Sequence, residues 1–332
     1  MNIFESQVKK DKEYQSHKVF PLLDSFIEFY NSVYMDGPDF LTNGVYSGLV
    51  NIDKVVCGSL AGTLDSVRIV LREGRINDAY SLIRKYFDGI IAVLYVNVYI
   101  AENYSLENLV VEKIQEWVNN KQKLPSTEKM MKTIRNHKPL EEFEKLFDFD
   151  GLYHRIRRLT NGNTHYNKLY YLWLNNNLIY NPRRMKELEN IYASVLHLFI
   201  LHFAYMYSLN PQYMMSSDYV DSLDCGIEPE EGSQYWVATF VSEVFEKYIV
   251  TNRTDIAEYM RNHTEMKLLV VFIIMLAFGK PRIDIQRHSK TMNHSSKKLE
   301  FFGETCTSLE IFSKFVEEGW RRDDGSGMMV QG

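Results

Sequence analysis

Three arginines, two amides and two histidines crowd one short stretch of the chain: His154, Arg155, Arg157, Arg158, Asn161, His165 and Asn167. A guanidinium stays charged at any physiological pH and presents a planar fork of donors to phosphate oxygens. An imidazole titrates near neutrality and can take or give a proton. Together they suit phosphodiester cleavage without a metal. A base removes the proton of a 2′-hydroxyl, its oxygen attacks the adjacent phosphorus, and a cation holds the charge that builds on the non-bridging oxygens. In that scheme His165 is base or acid, Arg158 the phosphate clamp, and Asn161 the group that orients the imidazole or a phosphate oxygen. Arg157, Arg155, His154 and Asn167 supply further substrate contacts.

That chemistry needs the side chains on one side of one element. At roughly 100° per residue, a helix through Arg158, Asn161 and His165 projects all three from a single face, and His154 extends the stripe backwards. Gly162 lies inside the stretch and costs a helix interior about 1 kcal/mol relative to Ala, so a break between Asn161 and His165 is the competing expectation. A second competitor is a solvated face, with Arg155, Arg157 and Arg158 paired to carboxylates near Glu141 to Glu144.

The spacing of Arg158, Asn161 and His165 resembles the arginine, polar residue, short gap, histidine motif of HEPN domains, helical domains found in bacterial RNase toxins, defence proteins and nucleotide-binding modules. Here the amide stands at Asn161, and Leu159 directly follows the arginine. The stretch Leu71 to Asp88 is similar to the helix, short turn, helix pattern of HEPN-like bacterial proteins, with Arg84 and Asp88 as its arginine and acid pair. The resemblance implies an all-α, HEPN-like helical bundle. It implies a metal-independent endoribonuclease leaving 2′,3′-cyclic phosphate and 5′-hydroxyl ends, in a toxin or antiviral defence setting. One histidine cannot serve as both base and acid, so the implied assembly is a homodimer with two motifs across a shared cleft. RNA, tRNA included, is the implied substrate, and an antitoxin or sensor protein the implied partner. Arg84 and Asp88 are expected either to support the motif from a neighbouring helix or, the more ordinary reading, to form a structural ion pair. The rival class is a noncatalytic helical module that binds nucleotide, RNA or a protein through the same cationic face, and the blandest is a purely structural role.

With 332 residues, 45% hydrophobic and 24% charged, the chain has the means to bury a large core, which argues against global disorder. Its 22 Tyr and 19 Phe suggest large rings wedging helices together. A net charge of −5 argues against a general nucleic-acid coat but leaves room for a local basic face. Cys57, Cys225 and Cys306 are too few and too scattered for a disulfide framework or a cysteine zinc site. His288 and His294 lack metal-ligand spacing, so neither a metal nor a cofactor is expected. No P-loop, dinucleotide glycine turn, zincin helix or nucleophile elbow occurs. The N-terminus lacks the pattern of a signal peptide, and the apolar run Leu268 to Phe278 is too short to span a bilayer, so a cytoplasmic protein without a membrane segment is expected.

Helical periodicity dominates from Asp53 onward. Leu60, Leu64, Val67 and Leu71 mark one helix that Gly74 stops; Asn77 is expected to cap the next, which carries Ala79, Leu82, Ile83, Phe87, Ile90, Ile91 and Leu94. Further helices are expected from Leu106 to Lys121, from Pro125 past Ile134, from Pro139 to Phe147, and from Arg183 to Ser208. Leu169 to Asn177 reads as either a helix or a short hairpin strand. The organisation that follows is a helical extension over 1–50, the bundle over 51–210, a linker over 211–233, C-terminal helices over 234–320 and a disordered tail over 321–332. The last helical part includes an apolar helix near Lys267 to Phe278 and a basic segment, 280–298, read as a solvated loop or a phosphate-touching arm.

Overall fold

The computed structural model describes residues 7–36, 52–104, 110–165, 168–176, 181–210, 237–261, 299–301 and 304–306. The linker 211–233, the helix near Lys267 to Phe278, the basic segment 280–298, the tail 321–332 and Asn167 lie outside them. The described chain is all-α apart from one strand pair. Its helices are α1 (Gln7–Lys10), α2 (Lys12–Gln15), α3 (Val19–Asp36), α4 (Ile52–Arg72), α5 (Ile76–Asn103), α6 (Glu112–Val118), α7 (Thr127–Asn136), α8 (Glu141–Phe147), α9 (Phe149–Thr164), α10 (Leu169–Trp173), α11 (Arg184–Leu209) and α12 (Thr239–Val244). A π-helical turn, Phe245–Val250, continues α12, and a last helical run covers 254–261.

The hairpin of α4 and α5 is the frame. Leu60, Leu64, Val67 and Leu71 point inward from α4 and are buried. Gly74 ends that helix at φ 77°, a conformation glycine adopts at little cost. There the Gly74 and Arg75 N–H groups return to the carbonyls of Leu71 and Val70, at 2.7 and 2.8 Å, closing the helix end. The start of α5 differs from the sequence expectation. Helix α5 begins at Ile76, and Asn77 is a buried residue inside its first turn. Its free N–H groups are satisfied from 98 residues away: Asn175 Oδ1 accepts from the Asn77 N–H at 2.9 Å. The same oxygen accepts from the Asp78 N–H at 3.3 Å, and the Leu174 carbonyl accepts from Ile76 at 3.1 Å. The segment after α10 therefore does the work of an N-cap.

Helix α3 lies against α4 and α11 and shares their core. Phe26 stacks on Phe199 with ring centres 3.6 Å apart, and Phe29 and Tyr30 meet the same ring edge-on. The short helices before α3 are tied down by Arg72, whose guanidinium donates to the Gln15 carbonyl at 2.6 Å and lies 3.7 Å over the Phe20 ring. Lys9 pairs with Glu73 at 2.8 Å. Arg72 and Glu73, at the end of α4, are thus the clasp of the N-terminal segment. The C-terminal elements join the same core through Phe240 on Phe29, Tyr248 on Phe26 and Tyr259 on Phe143.

Arg184–Leu209 is the described helix long and apolar enough, by length and composition, to cross a membrane, but 78% of its most apolar window is buried inside the bundle. Its apolar surface is thus spent on the core. A two-stranded antiparallel pair, Leu299–Phe301 with Glu304–Cys306, breaks the helical pattern in the C-terminal part. Three-residue strands are too short for period-2 alternation to register in a sequence.

Candidate functional site

Helix α9 carries the reactive stretch, and it is continuous. Asp148 opens it in the left-handed region at φ 45°, its carboxylate accepting from the Gly151 N–H at 3.3 Å. Arg135 of α7 bonds Asp150 at 2.5 Å and pins the first turn. Phe149, Leu152, Tyr153, Ile156, Thr160 and Asn163 recur at helical spacing and are buried against α5 and its neighbours. The polar members of that inner face bond back along their own helix. Thr160 Oγ1 donates to the Ile156 carbonyl at 2.9 Å and Asn163 Nδ2 to that of Leu159 at 2.8 Å.

Gly162 does not break the helix, which runs on to Thr164. His165 follows as its C-cap, with its N–H on the Asn161 carbonyl at 3.3 Å. The glycine has a packing reason. A Cβ built on it would fall 2.6 Å from the Tyr171 hydroxyl, so only the bare backbone lets the α10 ring lie across α9.

Because α9 is unbroken, His154, Arg158, Asn161 and His165 share its outward face. His154, Arg155, Arg157, Arg158 and His165 are exposed, and Asn161 is half-buried. The carboxylate pairing expected under a solvated-face reading is not formed among the described residues: Glu141 is held by Lys145 at 2.9 Å. Arg158 has no hydrogen bond or ion pair there. Arg157 is different, since it donates to the Tyr153 hydroxyl at 2.8 Å and lies over that ring, half clasp and half spare cation. His154 packs edge-on to Tyr153.

Spacing along the axis limits what the stripe can do. At about 1.5 Å per residue, His154 and His165 stand about 16 Å apart, too far to act as base and acid on one phosphate. Arg158 and His165 are about 10 Å apart by the same rise, within reach of a long guanidinium arm or of neighbouring phosphates on one strand. His165 and Asn161 are one turn apart and adjoin.

Arg84 and Asp88 do pair, Nε to Oδ2 at 3.0 Å, within α5. Neither bonds the stripe. Arg84 Nη1 and Asp88 Oδ1 are buried without a hydrogen-bond partner among the described residues. A histidine that sequence reasoning did not single out, His197 on α11, joins the cationic side. Desolvation, with Arg155 and Arg253 adding to it, pulls its pKa down. Its signal was legible as a lone polar residue within the apolar run Val195 to Phe199.

A shallow groove of about 510 Å³ lies between α3 and α4, lined by Asp24, Ile27, Glu28, Asn31, Ser32, Met35 and Arg68. It shares no residue with the stripe, and Arg68 is held by Asp24 and Asp65. The stripe carries the candidate chemistry despite being open, since Arg158 has no bonded partner among the described residues. Among the described residues no three of His, Cys, Asp and Glu gather as a metal site.

Fold and site thus define an all-α bundle with an open arginine and histidine face on one long helix. No known protein-family model, no curated protein and no solved structure matches this chain.

Proposed function

We propose that this chain is an RNA-directed helical protein of the cytoplasm that cleaves RNA without a metal when two copies close their α9 faces over one strand. The observation that supports the reading most is the uncommitted state of Arg158 beside Asn161 and His165 on one exposed, continuous helix face. Arg135, Arg68 and Arg72, by contrast, are bonded within the fold. In the reaction, one imidazole takes the 2′-hydroxyl proton and the 2′-oxygen bonds to phosphorus. The bond from phosphorus to the 5′-oxygen breaks, and a second, protonated imidazole gives that oxygen its proton. Arg158 holds the non-bridging oxygens. His154 and His165 stand about 16 Å apart along α9, too far to share one phosphate, and in this reading the second imidazole comes from the second copy. A toxin or antiviral defence role, with an antitoxin or sensor partner, fits a nuclease of this kind and rests on the HEPN resemblance.

The decisive experiment incubates the purified chain and its His165→Ala variant with total RNA and tRNA in excess EDTA. Cleavage by the parent alone, with 2′,3′-cyclic phosphate and 5′-hydroxyl ends, is the expected result. A second reading, noncatalytic RNA binding, is favoured by one observation: a single convex helix forms the face, and the described groove lies elsewhere. Binding without cleavage by parent and variant alike would select it.

A further inference from the structure

Helix α10 follows the stripe directly and is far too short to hold its shape alone. Three anchors hold it. Tyr170 donates to Glu187 of α11 at 2.6 Å, the Tyr171 ring lies on Gly162 of α9, and Leu174 is buried beside the Asn175 that caps α5. With Tyr170, Tyr171 and Leu174 turned inward, the opposite side of α10 presents Leu169, Leu172 and Trp173 to solvent at 63, 46 and 54% exposure.

The border of this apolar platform is cationic. Lys168 precedes it and is exposed, and Arg183 lies 5.4 Å over the Tyr170 ring. His165 ends α9 just before Lys168. Two carboxylates adjoin α10 and both are bonded: Glu187 accepts from the Tyr170 and Tyr80 hydroxyls, both at 2.6 Å, and Asp78 accepts from Asn175 Nδ2 at 2.7 Å. Three side chains are far fewer than the roughly 20 to 30 residues a side of a stable protein interface. A rigid indole face within a rim of cations has the chemistry of a single-stranded nucleic-acid site, where phosphates meet the charges and an unstacked base lies on the ring.

We propose that α10 is a base-stacking platform on which Trp173 receives an unpaired base of an RNA strand whose phosphates run over Lys168 and Arg158. The inference deepens the RNA reading above and rests on it. It names the substrate class as single-stranded or loop RNA, because the base faces of a duplex are hidden in its stack.

The test uses the full chain in the His165→Ala background, so that nothing is cleaved, and fluorescence anisotropy in EDTA. The probes are a fluorescein-labelled single-stranded RNA of 12 nucleotides and the same sequence as a duplex. Trp173→Ala is expected to weaken single-strand binding about tenfold, the scale of one lost stacked base, with Trp173→Phe retaining most of it and duplex binding unmoved. Arg158→Ala is expected to weaken both probes. Equal single-strand affinity for parent and Trp173→Ala, with Arg158→Ala still weakened, overturns the platform while leaving the RNA reading standing. A parent that binds neither probe overturns both. A Trp173→Ala chain that changes oligomeric state in gel filtration, with RNA affinity intact, assigns the face to a protein contact and overturns the proposal.

Discussion

The centre of the bundle and the outer face of α9 hold the same kinds of side chain in opposite states. At the centre, the Tyr30 hydroxyl meets the Tyr86 hydroxyl at 2.8 Å and His202 Nδ1 at 2.7 Å, all three residues buried. Both hydroxyls and the Nδ1 nitrogen have found partners, as the low dielectric demands. His202 is held neutral, its pKa pushed by burial from the ordinary 6.5 to about 3. On α9, the Arg158 guanidinium has no bonded partner among the described residues, and the His165 ring stands in solvent. The polar groups at this centre are bonded within the fold. Those on the stripe contribute little to the fold and are free for something else.

That contrast can be broken at its strong end first. Phe199 stacks on Phe26 and meets Phe29 and Tyr30, so Phe199→Ala is expected to cost about 3–5 kcal/mol in urea unfolding. A loss below about 1 kcal/mol would mean that α3 and α11 are not locked through these rings. Tyr30→Phe leaves Tyr86 and His202 short of a partner and is expected to cost about 1–3 kcal/mol.

Acid should attack the same place. Because His202 titrates lower in the fold than in the unfolded chain, its contribution is complete above about pH 6.5 and lost as pH falls toward 3. Between pH 6.5 and 5 the loss is expected to be on the order of 1 kcal/mol per pH unit. His202→Gln should flatten that slope in urea titrations, and an unchanged slope would place the acid sensitivity elsewhere. Asn175→Ala removes the acceptor for two α5 N–H groups, and a loss of about 1–2 kcal/mol is expected. At the weak end, Arg155→Ala and Arg158→Ala should each move stability by less than about 0.5 kcal/mol.

The hairpin of α4 and α5 was legible because its signals are local: leucines and valine at helical spacing and a glycine where φ turns positive. The outward stripe was legible for the same reason, since helix geometry alone carries Arg158, Asn161 and His165 to one side. What stayed hidden is long-range. Asn175 caps a helix 98 residues earlier, a pairing no local pattern encodes, and Asn77 looked like the better cap. The bond between Tyr30 and His202 spans 172 residues. Gly162 read as a helix breaker because its cost is local, whereas its use, room for Tyr171, depends on how α10 folds back. Whether an arginine is paired is likewise a tertiary fact, and it separates Arg158 from Arg157 and Arg135.

The central claim is that the α9 stripe serves RNA and not the fold. Its most direct test measures two properties of a single Arg158→Ala preparation: the melting temperature and the affinity for single-stranded RNA. An unchanged melting temperature with at least a tenfold weaker affinity is the predicted result, about the worth of one charge-assisted phosphate contact. A melting temperature several degrees lower, or RNA affinity equal to that of the parent, would contradict it.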